Sequence, residues 1–139
     1  MKSIVILFVT FLLWGCSPSD EAHPVISSHG EAFNAGDIEA MSSLQHPDIE
    51  WFAVDGSEMR LEIAGRDALA EMLVAYRNSN PTVTGTMSDW SQNGPYIAVT
   101  ETASWTVKDG ANRSQSATSV YEMEEGLIRR VWYFPAVSD

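Results

Sequence analysis

The chain of 139 residues contains one cysteine, Cys16, so no disulfide can form within it and its core must hold by packing alone. Positive charge is scarce as well. Eight Lys and Arg stand against 19 Asp and Glu, for a net charge of −11. The few basic residues are scattered, which excludes the clustered cations that nucleic-acid binding needs to release counterions from phosphates. Three histidines, His23, His29 and His46, have no pair at the four-residue spacing that puts two ligands on one helix turn, and no metal or cofactor is expected. No Gly-x-Ser-x-Gly elbow is present, which disfavours a serine hydrolase. No apolar run approaches the roughly 20 residues that span a bilayer.

What is present begins at the N-terminus. Lys2 supplies a positive start, residues 4–13 are apolar apart from Thr10, and Leu13-Trp14-Gly15-Cys16 closes the run. This order resembles the bacterial lipobox, in which a signal peptide (residues 1–15) is removed and Cys16 is diacylated. Two acyl chains anchor stably, because each buried methylene contributes about 0.8 kcal/mol. The expectation is therefore a membrane tether through an N-terminal lipid, with residues 16–24, rich in Ser, Pro, Asp and Glu, as a short spacer. Ser17, where Asp would signal retention in the inner membrane, implies the outer membrane of the cell envelope, facing the periplasm. Loss of the signal removes Lys2 and no acid, so seven basic side chains face 19 acidic ones, a net −12.

Residues 25–136 remain for one domain with a single modest core. Val25, His29 and Phe33 recur at four-residue spacing, and Asn34-Ala35-Gly36 closes that helix with Gly at a left-handed cap. Asp37 can cap a second short helix carrying Ile38, Met41 and Leu44, turned out by His46-Pro47-Asp48. Residues 49–54 suit a strand ending in Asp55-Gly56. A third helix after Gly65 puts Leu69, Met72, Leu73 and Tyr76 on one face. From residue 82 the period changes to two, giving strands at 82–91, 96–108, 113–123 and 127–134 joined by hairpin turns. The fold class is α+β, with three N-terminal helices covering one face of a curved antiparallel sheet.

Alternation puts Val99, Glu101, Ala103, Trp105 and Val107 on the inner side of their strand. A three-residue turn at residues 109–111 would pair Glu101 with Ser119 and Val99 with Tyr121, leaving Ala117, Ser119, Tyr121 and Met123 inward. For the last strand, the set Arg130, Trp132, Phe134 and the set Arg129, Val131, Tyr133 are equal candidates for the inner face.

The phrases Ala32-Phe33-Asn34-Ala35-Gly36-Asp37 and Gly65-Arg66-Asp67-Ala68-Leu69, in this order among these elements, resemble the nuclear transport factor 2-like superfamily, with its SnoaL-like polyketide cyclases and ketosteroid isomerases. The resemblance implies a cone, a strongly bent sheet wrapped around helices with a ligand cavity inside, and a homodimer formed through the sheet. It does not carry over the isomerase machinery. The helix-one Tyr falls on His29, the catalytic base on Ala53 and the hydrogen-bonding Asp on Ser119. The His and Asp that cyclases place around a last-strand Trp fall on Val131 and Tyr133 beside Trp132.

Glu101 is the sharpest chemical candidate, since desolvation on an apolar wall raises a carboxyl pKa toward the range of a general base. The competing reading is an acid paired with Arg130 or bonded by Ser119. His29 is its possible acid/base partner, or else a satisfied core residue. The aromatics Phe33, Trp51, Tyr76, Trp105, Tyr121 and Trp132, with Met72, Leu73 and Ser119, are candidates to line a pocket for a small apolar or aromatic molecule. Three readings stay open: a tethered ligand-binding domain, an acid/base enzyme (isomerase, cyclase or hydratase) using Glu101 with His29, and an envelope assembly module with a filled cone.

Overall fold

The structure is a computed structural model and describes residues 21–138. The expected signal peptide, Cys16 and most of the tether lie outside the described residues. The chain forms α1 (Pro24–Ala35), α2 (Ile38–Ser43), β1 (Gln45–Asp55), β2 (Glu58–Ala64), α3 (Arg66–Ser79), β3 (Thr84–Asn93), β4 (Tyr96–Thr106), β5 (Asn112–Glu124), β6 (Leu127–Tyr133) and the short β7 (Val137–Ser138). Strand order across the sheet is β2-β1-β6-β5-β4-β3, with β7 beside β5. All neighbours are antiparallel except β1 and β6, a parallel pair within the expected antiparallel sheet.

The two phrases that carry the resemblance prove to be the joints of the helical layer. Gly36 adopts φ 71° and ends α1, with Asp37 N–H returning to the Ala32 carbonyl at 2.9 Å. Asp37 Oδ1 then accepts from Ala40 N–H at 2.9 Å and starts α2. Asn34 uses both ends of its amide on Gly85, giving Nδ2–H to its carbonyl (2.8 Å) and accepting its N–H (2.7 Å). It thereby extends the hydrogen-bonding edge of β3 into α1. Arg77 of α3 donates to the Phe33 carbonyl at 2.6 Å and lies over the Phe33 ring. Gly65 donates to Ile49 at 2.7 Å at φ 94°, and Arg66 donates to Ser42 at the end of α2.

The structure departs from the sequence expectations at three places. His46-Pro47-Asp48 does not turn the chain out, because β1 already starts at Gln45. The β1–β6 pairing passes from Gln45–Ile128 to Glu50–Arg130 through an irregularity, and Pro47 sits inside it, where its missing N–H breaks no ladder bond. β2 occupies 58–64 without a strand signal in the sequence, being an edge strand that is largely exposed and so has no legible apolar side. In the β4–β5 hairpin Glu101 pairs with Ala117 and Val99 with Ser119. The loop holds five residues, closed by Val107 N–H to Ala111 and Gly110 N–H to Val107, and the register moves by two. An even shift preserves which side chains face inward.

The last strand resolves through a bulge. Glu122 pairs with Arg130 and Met123 with Ile128, so Arg129 has no opposite residue. Ile128 and Val131, three apart, are both buried in the core with Ile26, Leu69, Val99 and Tyr121. Val131 and Tyr133 face inward, and Trp132 outward against Phe52.

Candidate functional site

The helices and the concave sheet face enclose a cavity of about 350 Å³. Its walls are Phe33 from α1, Met72, Leu73 and Tyr76 from α3, Trp51 from β1 and Met87 from β3. Tyr76 and Phe134 line it and are 38% and 40% exposed, which marks the side open to solvent. Trp51 stacks on Tyr133 with centroids 4.6 Å apart and rings within 8° of parallel.

The inner end is polar. Glu101 of β4 projects into the cavity with Tyr121 of β5 and Tyr133 of β6. Ser119 Oγ and Tyr121 Oη each donate to Glu101 Oε1 at 2.5 Å, and Tyr133 Oη donates to Oε2 at 2.5 Å. The two tyrosine oxygens are 3.5 Å apart. The Ser119 contact is diagonal across the β4–β5 ladder, since Ser119 faces Val99 directly. Three hydroxyl donors suit an ionised carboxyl group, and charge-assisted bonds of this kind are among the stronger ones in proteins. Among the described residues no Lys or Arg pairs with Glu101. Burial, then the nearby Glu101 charge, raises the hydroxyl pKa of Tyr121 and of Tyr133 well above 10. Both stay protonated at neutral pH.

Arg130, the other partner considered for Glu101, is on the opposite sheet face, bound to Glu50 at 2.8 Å and Glu122 at 2.7 Å. His29 lines the same cavity without bonding Glu101. Its Nε2 lies 2.9 Å from Gln45 Nε2, an amide nitrogen that can only donate, so the ring accepts there and keeps its own hydrogen on Nδ1. Burial lowers its pKa to about 4, so the ring is neutral at pH 7. Ala53, at the isomerase base position, offers no titratable group in β1. No group of three His, Cys, Asp or Glu side chains is arranged to hold a metal among the described residues.

Of the candidate lining residues, Phe33, Trp51, Met72, Leu73, Tyr76 and Tyr121 border the cavity. Ser119 lies fully buried behind its wall and reaches it through Glu101. Two assignments are corrected. Trp105 pairs with Arg113, one pair from the end of the hairpin, and lines a separate polar groove with Thr82, Thr84 and Ser104. Trp132 is on the outer face, carried there by the bulge at Arg129. Tyr133, Met87, Met41 and Phe134 border the cavity without having been singled out. Tyr133 was one of two equal possibilities until the bulge fixed its side.

With this geometry in place, the profile of the SnoaL-like domain matches residues 27–131. The chain belongs to the SnoaL-like family. Its solved neighbours share the nuclear transport factor 2-like cone. A loop-truncated variant of IdmH is 24% identical over 83% of this chain and 90% of that one, with a TM-score of 0.68. Wild-type IdmH comes from Streptomyces antibioticus and is a candidate polyketide cyclase. TerC, crystallised with polyporic acid, is 21% identical over 83% and 88%, with a TM-score of 0.64. A cystatin-fold protein from Novosphingobium aromaticivorans is 20% identical over 80% and 95%, with a TM-score of 0.68. At these identities the likeness to solved structures is one of fold. No curated protein matches the chain. The SnoaL-like scaffold is thus common to these proteins, while the Glu101 cluster is read from this chain's own residues.

Proposed function

We propose that this SnoaL-like domain binds a small, flat, largely apolar molecule in its cone. The observation that carries the reading is the cavity, about 350 Å³ with aromatic and Met walls and a fixed carboxylate at its inner end. Ligand pockets run from about 300 to 1,000 Å³, mostly apolar with a few placed polar groups. Crystallisation of TerC, which shares the fold, with an organic molecule, polyporic acid, supports it further. The test is titration of the protein with 2-naphthol, followed by tryptophan fluorescence because Trp51 lines the cavity. Saturable binding is expected, weakened about tenfold or more by Met72→Trp or Leu73→Trp, whichever circular dichroism shows to be folded. Absence of binding, or binding indifferent to a folded cavity-filling variant, rejects the reading.

Proton transfer by Glu101 is the second reading, favoured by Glu101 lining the cavity with Tyr133 as the hydroxyl donor to its Oε2. A proton taken up by Glu101 would free the Tyr133 hydroxyl to donate to an oxyanion forming on a substrate. His29, neutral and held by Gln45, is not needed for that step. Under this reading Glu101→Gln retains binding and loses turnover.

We further propose that Cys16 carries lipid and holds the domain at the outer membrane on the periplasmic side. Support comes from the N-terminal pattern and from α1 starting at Pro24, a few residues beyond Cys16. No helix among the described residues is long and apolar enough to cross a membrane. Cys16→Ser should move the protein from the membrane to the soluble fraction and remove the acyl mass. An unchanged distribution rejects the anchor.

A further inference from the structure

The inner end of the cavity has a polarity of its own. Ser119, Tyr121 and Tyr133 each own one hydroxyl hydrogen, and all three are given to Glu101. What remains on this group of lining residues is lone pairs, on Glu101 and on the two phenolic oxygens. The Tyr121 and Tyr133 oxygens, 3.5 Å apart, have no further hydrogen to offer either each other or a guest. The carboxylate's charge meets no cation among the described residues. Gln115, which also lines the cavity, pairs with Ala103 and is the diagonal neighbour of Glu101 on the hairpin side, away from the two tyrosines.

We infer that the cone selects apolar or aromatic molecules whose leading end is a hydrogen-bond donor, a hydroxyl or a protonated amine, and rejects those ending in a carboxylate or in an acceptor alone. The inference rests on the ligand-binding reading above and names the ligand class. A donor fills a free lone pair of Glu101 and shares its charge. An ether or ketone at the same place faces oxygens with nothing to give, and desolvation on both sides goes uncompensated. A carboxylate adds like-charge repulsion in an apolar surround.

The experiment is a matched series on the wild-type protein at pH 7: 2-naphthol, 2-naphthylmethylamine, 2-methoxynaphthalene and 2-naphthoate, with affinities from calorimetry. The ring is constant, so the wall contribution is shared and the head group decides. The alcohol and the amine are expected to bind about 10- to 100-fold more tightly than the methyl ether, the scale of one hydrogen bond to a charged group, with the naphthoate weakest. Glu101→Gln should bring the alcohol and ether within about threefold of one another, since the Gln amide offers both donor and acceptor. Equal affinities across the wild-type series, or a preference for ether or naphthoate, overturn the inference while leaving the binding reading intact. Failure of all four to bind overturns both.

Discussion

The sheet holds carboxylates on both faces of β5 and β6, three outside and the single Glu101 of β4 inside, and the two groups are satisfied by opposite means. Outside, Glu50, Glu122 and Glu124 meet Arg129 and Arg130, with contacts of 2.7 to 3.3 Å, and the hydrogen bonds that Arg130 donates to Glu122 and then to Glu50 hold its guanidinium above the ordinary pKa. Inside, Glu101 meets hydroxyls alone. A surface ion pair closes on itself and asks for nothing more. The inner carboxylate is hydrogen-bonded but not neutralised, and that residual charge is what makes the cavity selective. The outer cluster is therefore read as support for the sheet, and the inner one as the working end of the site.

The inner face also holds the largest expected effect, at its second polar pair. The His29 pKa falls from its ordinary 6.5 to about 4 because burial disfavours the imidazolium. As pH drops below about 6.5 the unfolded chain takes up a proton that the folded chain refuses until about pH 4. Stability is whole above that window and is lost through it, by about 3 kcal/mol. Urea unfolding of wild type and His29→Gln at pH 7 and pH 4 measures the difference, the amide being chosen to keep a partner for Gln45. Identical pH slopes in the two proteins would refute the assignment.

Tyr133→Phe comes next. It removes one donor from a charged acceptor in the cavity, at about 2 kcal/mol of stability. On the alkaline side the sign reverses relative to His29. The raised hydroxyl pKa values of Tyr121 and Tyr133 mean that stability is whole below about pH 10 and falls as pH rises beyond it, where the unfolded chain gives up protons the folded one retains. Tyr133→Phe should soften that alkaline loss. A variant as stable as wild type, with an unchanged alkaline limb, would mean that the Tyr133–Glu101 bond contributes little.

Much of this architecture was legible because it depends on parity and on caps. Gly36, Asp37 and Gly65 act through local backbone rules, so they name their own positions. Inner and outer faces of β4 and β5 survived a two-residue register error because the error was even, and Glu101 with Ser119 came together all the same. Three features were beyond reading from one chain. The bulge at Arg129 depends on what β5 and β1 present on either side of β6, and no periodicity in residues 127–134 reveals it. Which of Tyr133 and Trp132 faces inward turns on that one residue. The length of the β4–β5 loop decides where the hairpin ends, and with it whether Trp105 reaches the cavity. Whether Glu101 has a cation partner was equally hidden, since Arg130 could be assigned to either face until the sheet order placed Glu50 beside it.

The smallest effect lies outside. Arg130→Met keeps the aliphatic stem over the strand and removes two ion pairs, yet the side chain is about one-third exposed, so water already screens what is lost. The expected cost is about 1 kcal/mol or less. At 1 M salt, where the Debye length is about 3 Å, that cost should nearly vanish, whereas the cost of Tyr133→Phe should persist because its hydroxyl–carboxylate bond is short, partly buried and has no counter-ion to lose. Chemical denaturation in urea, which carries no charge, with and without salt makes the measurement. If Arg130→Met proves the more damaging of the two and salt does not relieve it, the contrast between a self-sufficient outer cluster and an unfinished inner one fails.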